Sequence, residues 1–455
     1  MIMAFVASMS ASAQTAREFV LDNSVGGESK LYCFLPEKPS GRAVMACPGG
    51  GYGSLSMAKE GTDWAGYFNK QGIAFFTLKY RLPKGNPELP LADAEHAMTV
   101  VRDSAKAWHI NPQDVGIMGF SAGGHLAAIV SNNAPFESRP DFSILVYPVI
   151  SMHEKMTHKG SLDNFLGDSK GDEKTVKLYS AEDRVNHYGT PPAIILVSND
   201  DRTVNPVNNA IAYYSAMRKQ GNKCALHVYQ DGGHGWGFAS WFRHHDEMLD
   251  DLTAWLDRLH APKQGAVKVA CIGNSITRGA CIDMASQLGY PAMLQKKLGN
   301  GYYVRNFGLS GFTMLQKGNN PYMKTECWRM VQDFHPDIVV IKLGTNDSKP
   351  YNWQYGDEFE KDMQTMIDAL KNQPQKPRIY LATPIPAFRD NLNIKEENIV
   401  NGVIPAIKKV AEKNKLEIID MHMLFTDRAM MTADDIHPNA KGADKMAEIV
   451  AGAIR

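Results

Sequence analysis

The chain has 455 residues, 44% hydrophobic and 22% charged, an ordinary globular balance with length for two or three domains. Lys plus Arg and Asp plus Glu stand at 49 each, so no basic excess exists to gather nucleic acid, and no nucleic-acid partner is expected. Six cysteines (Cys33, Cys47, Cys224, Cys271, Cys281 and Cys327) include no CxxC pair, which argues against a zinc site. Four of them sit in or beside predicted strands and read as buried free thiols, although export would permit a disulfide.

The chain opens on MIMAFVASMSASAQ, a short apolar run ending in small residues. Ala11 and Ala13 fit the A-x-A pattern, which predicts a signal peptide over residues 1–13, cleavage before Gln14 and a secreted or periplasmic protein. No positive n-region precedes the run, so the true start is expected upstream. No other stretch has the roughly 18 apolar residues of a membrane span.

Residues 14–260 alternate strand-like and helix-like segments. Apolar β-rich runs at 43–46, 73–78, 115–118, 143–149, 193–197 and 225–229 flank helical patterns such as 92–108 and 206–219, which predicts a largely parallel sheet with helices on both faces. The polar segment 151–188 interrupts this pattern and reads as a cap or lid insertion. Residues 261–266 (APKQGA) are expected to be an unpacked linker. The alternation then restarts over 267–455, with strands at 267–272, 337–343, 378–383 and 416–420 and helices at 290–298, 358–371, 403–414 and after Ala440. Each half ends on its own helix, so residues 15–262 and 265–455 are each expected to fold alone.

Gly119-Phe120-Ser121-Ala122-Gly123 matches G-x-S-x-G, between a predicted strand and a helical run. A sharp strand-to-helix turn exposes the serine there, and the glycines remove side chains that would clash. Pro48-Gly49-Gly50-Gly51-Tyr52 leaves the end of an earlier strand and can present bare N–H groups to an oxyanion. Gly50, Gly51 and Ala122 are the candidate donors. An acid and a histidine should follow in that order: Asp200 or Asp201 after the strand 193–197, and His234 in Gly232-Gly233-His234-Gly235-Trp236. Asp201 is preferred for its D-x-x-V setting. His227, His244 and His245 are read as structural or surface residues.

A second set begins with Gly273-Asn274-Ser275-Ile276-Thr277 after the strand 267–272. It continues through Asn306-Phe307-Gly308-Leu309-Ser310-Gly311, Gly344-Thr345-Asn346-Asp347 and Asp434-Asp435-Ile436-His437-Pro438.

GFSAGGHLA, PGGGYG, Tyr80-Arg81-Leu82-Pro83 and GGHGWG resemble the α/β-hydrolase esterases related to hormone-sensitive lipase and to bacterial feruloyl and acetylxylan esterases. Pro48 stands where many of these have His, a change that leaves the backbone donors in place. The four later blocks resemble the SGNH (GDSL-like) hydrolases over residues 268–455. The two resemblances imply an α/β-hydrolase fold followed by a flavodoxin-like three-layer SGNH fold. By motif position they imply Ser275 as nucleophile, His437 as base and Asp434 as its orienting acid, with Asp435 the alternative. The backbone N–H groups of Ser275 and Gly308 and the Asn346 amide would form the oxyanion hole. Asn274 departs from the Asp more usual there.

The implied protein is a secreted serine esterase with two active sites, using no metal or cofactor and acting on an acylated carbohydrate. Acetyl groups on plant polysaccharides such as xylan come first, feruloyl groups on the same polymers after them, and O-acetylated sialic acid is the alternative substrate. Tyr52, Trp236, Tyr351 and Trp353 are candidate substrate contacts, with Trp236 suited to an aromatic acyl group. The insertion and Trp236 predict a larger acyl preference for the first site than for the second. The rivals are a serine peptidase, which lacks a propeller domain here, and an esterase with one inactive binding half, for which no catalytic residue is missing.

Overall fold

A computed structural model describes residues 17–455, so the expected signal peptide at 1–13 lies outside the described residues. The first sheet comprises β1 (Arg17–Asp22), β2 (Lys30–Leu35), β3 (Ala43–Cys47), β4 (Ala74–Lys79), β5 (Val115–Phe120), β6 (Ser143–Val146), β7 (Ala193–Ser198) and β8 (Cys224–Tyr229), in the order β1-β2-β4-β3-β5-β6-β7-β8. From β4 through β8 every pairing is parallel. Strands β3, β5, β6 and β7 are buried along their whole length, as a sheet covered on both faces requires.

Two features differ from expectation. An antiparallel β1–β2 hairpin was not expected: the edge strand β1 is largely exposed and carries Arg17, Glu18 and Asp22, and β2 alternates buried with half-buried residues. β6 stops at Val146 because Tyr147 turns to φ 36°.

The second sheet is parallel throughout, with β9 (Val267–Gly273), β10 (Tyr302–Gly308), β11 (Ile338–Lys342), β12 (Arg378–Ala382) and β13 (Glu417–Ile419) in the order β10-β9-β11-β12-β13. Two apolar clusters, one built around Phe307, Phe334 and Phe359 and the other around Tyr290, Leu294 and Met446, complete three layers. β10 was not expected, since Arg305 and Asn306 break its apolar run. Those polar residues have a tertiary reason: β10 is an edge strand, and the first unit lies against it. Arg305 donates to the Tyr188 carbonyl at 2.7 Å and stands 5.3 Å over the Phe136 ring. Phe136 in turn meets Phe334 edge-on at 5.0 Å.

Residues 261–266 form no helix or strand and leave 263–265 exposed, but hydrogen bonds anchor the segment to both units. The Asn111 amide donates to the Pro262 carbonyl at 2.7 Å, the Lys263 N–H to Asn300 at 2.9 Å, and Ala266 is buried. The 151–188 insertion is likewise packed, with Leu162, Phe165 and Leu166 in the main core. Among the described residues, no helix is long and apolar enough to cross a membrane.

Candidate active sites

The C-terminal ends of β5, β7 and β8 bring the first set together. Ser121 follows β5 and caps the helix Ala122–Asn133 with φ 50° and ψ −119°, a strained backbone for a non-glycine residue and the mark of a nucleophile held proud of the sheet. His234 Nε2 lies 2.8 Å from Ser121 Oγ, and His234 Nδ1 lies 2.6 Å from Asp201 Oδ2. The other Asp201 oxygen accepts the N–H groups of Thr203 and Val204, both at 2.9 Å, which gives the D-x-x-V spacing its physical sense. Asp200 is exposed and instead accepts the Gly233 N–H at 2.8 Å.

Gly50 and Gly51 take φ 134° and 60°, and a Cβ on Gly50 would sit 2.2 Å from the Ser54 carbonyl, so the loop requires glycine there. Among the described residues, the N–H groups of Gly50, Gly51 and Ala122 donate to no protein acceptor, which leaves them free for an oxyanion.

The two aromatic contacts expected at this site are corrected by the structure. Tyr52 is 1% exposed, stacks on Phe165 at 4.6 Å and shares a 2.8 Å hydrogen bond with His125 Nδ1. Trp236 is fully buried against Phe242 and donates its indole N–H to Ser198 Oγ. Neither can line a substrate pocket, because packing has absorbed both rings.

Further residues brace this site, and of these only Tyr80 belongs to a motif legible in the sequence. Buried Glu60 accepts the Gly49 N–H at 2.9 Å and the Tyr147 hydroxyl at 2.8 Å. That hydroxyl accepts the Gly237 N–H at 2.8 Å, and the Tyr147 ring lies 4.7 Å from His234. One carboxylate thus ties the glycine loop to the histidine loop. Asn164, from the insertion, donates to the Gly51 carbonyl at 2.9 Å, and Tyr80 of the Tyr-Arg-Leu-Pro run donates to Pro48 at 2.7 Å. His158 stands 3.7 Å from where a Gly51 Cβ would lie, and burial, then His234, lowers its pKa.

Glu60→Ala strands two buried donors, so it should cost about 3 kcal/mol of stability. Thermal unfolding checks this, and a melting temperature unmoved from the parent's would remove Glu60 from the scaffold of the site.

The second set converges at the ends of β9, β10 and β11. Register pairs Gly273 with Gly308 on one side and with Lys342 on the other, so the Gly308 and Asn346 loops flank Ser275. His437 Nε2 is 2.8 Å from Ser275 Oγ, and His437 Nδ1 is 2.6 Å from Asp434 Oδ2. Burial pushes the Asp434 pKa up, but hydrogen bonds from the His437 backbone and ring, Ile436 N–H and Thr432 hydroxyl outweigh it and hold the carboxyl down at about 2. The alternative acid, Asp435, is turned away at φ 62° and grips Arg428 through two 2.8 Å bonds.

The Gly308 N–H donates to Asn306 Oδ1 at 3.0 Å, and one Asn346 amide hydrogen goes to the Phe312 carbonyl at 3.1 Å. Asn274 is buried, and its Oδ1 accepts the Ile276 N–H at 3.1 Å, a role an aspartate could also fill. Tyr351 is exposed as a substrate contact would be, but Trp353 packs on Phe359 and against the backbone of Gly402. Asn352 donates to the Asn346 carbonyl at 2.9 Å, and Asp347 accepts the Met314 and Leu315 N–H groups while burial raises its pKa to about 6. Both lie within or just after the Gly-Thr-Asn-Asp block, so proximity to the motif was the available signal.

All six cysteines are free, and Cys281 is the exposed one, its Sγ within 4.8 Å of ligand atoms of Asp434 and His437. A maleimide on Cys281 should therefore silence the second site and spare the first, and Cys281→Ala should abolish that sensitivity. Equal inhibition of parent and variant would show that the label acts elsewhere.

Residues 44–238 match the alpha/beta hydrolase fold family, and residues 271–445 match the GDSL-like Lipase/Acylhydrolase family. With a serine, histidine and aspartate assembled in each of these folds, the protein is a carboxylic ester hydrolase. It is 52% identical over 467 aligned positions to the acetylxylan esterase of Xylanibacter ruminicola, covering 98% of this chain and 97% of that one, and it belongs to that enzyme's family. The Endo-1,4-beta-xylanase B of Butyrivibrio fibrisolvens is 31% identical over 234 positions, covering 48% of this chain and 36% of that protein. Among solved structures, an acetyl ester-xyloside bifunctional hydrolase from Caldicellulosiruptor lactoaceticus is 32% identical over 50% of this chain and 87% of its own, at a TM-score of 0.46.

Proposed function

We propose that the protein is an exported acetylxylan esterase whose two sites both remove acetyl groups from plant polysaccharide. The carrying observation is that each histidine spans its serine and aspartate at 2.8 and 2.6 Å, which supports catalysis in both halves over a binding role for either. The name of the Xylanibacter relative supports acetylated xylan as the substrate.

Each site works by the same sequence of steps. Serine Oγ attacks the ester carbonyl while histidine Nε2 takes its proton, and the carbonyl oxygen becomes an oxyanion. In the first site the N–H groups of Gly50, Gly51 and Ala122 receive that charge. In the second, Ser275 N–H, the remaining Asn346 amide hydrogen and the Gly308 N–H, shared with Asn306, receive it. The imidazolium then protonates the sugar oxygen as it leaves, and an acetyl-serine remains. Water, deprotonated by the same histidine, releases acetate and restores the serine. Asp201 and Asp434 hold the imidazoles in the tautomer that permits this.

Export rests on the A-x-A pattern at Ala11 and Ala13. N-terminal sequencing of the mature protein tests it, with Gln14 as the expected first residue. The burial of Trp236 removes one reason to expect an aromatic acyl group at the first site. Assays on acetylated xylan, O-acetylated sialic acid, methyl ferulate and a peptide anilide test the substrate. Acetate release from xylan well above turnover of the other three is the expected result, and a preference for any other substrate overturns the reading.

A further inference from the structure

The second site is completed from outside its own fold. His187, in the first unit, directs Nε2 at the Gly308 carbonyl at 2.6 Å. Arg278, the last residue of the short helix Ser275–Arg278 that begins at the second nucleophile, donates Nε to His187 Nδ1 at 3.4 Å and Nη2 to Gln220 Oε1 at 3.1 Å. An acceptor at Nδ1 and a donor at Nε2 define a neutral imidazole. Burial and then the Arg278 cation push its pKa down to about 4, so it stays neutral well below neutral pH.

The turn that carries His187 is braced in turn. Asn186 accepts the Gly189 N–H at 2.6 Å and receives an amide hydrogen from Asn222 at 3.0 Å, and the carbonyl of Tyr188, the residue after His187, takes the Arg305 guanidinium.

Gly308 has no side chain by which to be anchored, and it cannot have one. A Cβ would lie 2.3 Å from the Arg278 nitrogen, because the strand end crosses directly over the nucleophile's turn. Glycine has the freest backbone of any residue, so a donor N–H on glycine must be oriented by bonds to its own peptide groups. Asn306 holds the N–H side, the adjacent Leu309 N–H is held by Gly273 at 2.9 Å, and the carbonyl side is held by His187. The first site repeats the device, with Asn164 donating to the Gly51 carbonyl. Both clamps come from the single 151–188 insertion.

We infer that His187 is a positioning residue for the second active site, fixing the Gly308 peptide across the interface so that the oxyanion donor is preorganised. The inference rests on the serine-esterase reading of the second site. It makes the insertion a shared scaffold for both oxyanion loops, and it makes turnover at Ser275 depend on the first unit.

The test uses full-length protein with one site silenced at a time. Ser121→Ala isolates the second site and Ser275→Ala the first, and each background carries His187→Leu or His187→Gln. Removing an oxyanion donor outright costs about 10²–10³ in kcat, so loosening one should cost about tenfold. The expected result with p-nitrophenyl acetate is a roughly tenfold fall in second-site kcat for His187→Leu with KM within about twofold. His187→Gln, which can still donate, should recover most of the loss, and the first site should be unaffected by either change.

Three outcomes overturn the inference: second-site kcat within about twofold of its parent in His187→Leu, a loss that glutamine does not rescue, or a parallel loss at both sites. The last includes failure to fold, since His187 belongs to the first unit. Absence of second-site activity in the Ser121→Ala parent itself would instead strike the reading of Ser275, which separates the two failures.

Discussion

Ser121→Ala combined with Ser275→Ala is expected to abolish ester hydrolysis, whereas either change alone leaves the other site working. Each serine has its own histidine at 2.8 Å and its own aspartate behind it, so no group is shared between the two reactions. Loss of a nucleophile from a complete serine, histidine and aspartate set costs about 10⁶ in kcat, and what survives is the small acceleration that binding and the oxyanion hole provide. Acetate release should thus fall in two steps, each removing one kinetic component. Activity in the double variant well above background would mean that a nucleophile has been misassigned. A single substitution that silences both components would mean that the sites are not chemically independent.

The second large effect concerns the acids. With Ser275→Ala in place, Asp201→Asn should lower kcat by about 10⁴, because an amide opposite Nδ1 favours the wrong imidazole tautomer. Asp200→Asn should be mild. Asp200 uses one oxygen to accept the Gly233 N–H, and an asparagine oxygen can accept the same bond. In the Ser121→Ala background the same contrast should hold between Asp434 and Asp435, whose carboxylate is engaged with Arg428. Steady-state kinetics on an acetyl ester decides both pairs. A large loss from Asp200→Asn with a small one from Asp201→Asn would move the assignment by one residue, against the 2.6 Å contact.

These contrasts show how far local chemistry carries. Two adjacent pairs of carboxylates were legible, and the D-x-x-V setting of Asp201 and the D-x-x-H motif position of Asp434 favoured one of each pair. Asp201 accepts the backbone N–H three residues on, and Asp434 meets the His437 ring three residues on, so both contacts are local in the chain. The same locality explains why β3, β5, β6, β7, β9, β11 and β12 were found. Each is a short, mainly apolar run that is buried over most or all of its length.

Exposure and long-range partners are not local quantities. β1 and β10 are edge strands and carry charges that mask a strand pattern, and in β10 the charge, Arg305, is answered by Tyr188, 117 positions away. Tyr52 and Trp236 sit beside catalytic motifs in the chain, yet their rings turn into the core, since adjacency along a backbone says nothing about which way a side chain packs. Glu60, Asn164 and His187 carry no motif at all. Each acts by giving or receiving a hydrogen bond at a distant backbone group, 11, 113 and 121 positions away, and such a partner exists only once the chain has folded. The reacting groups are thus spelled out by short-range motifs, because their chemistry requires particular side chains on particular turns. The hold on the oxyanion loops and the meeting of the two units arise from packing between segments remote in sequence, which no local pattern encodes.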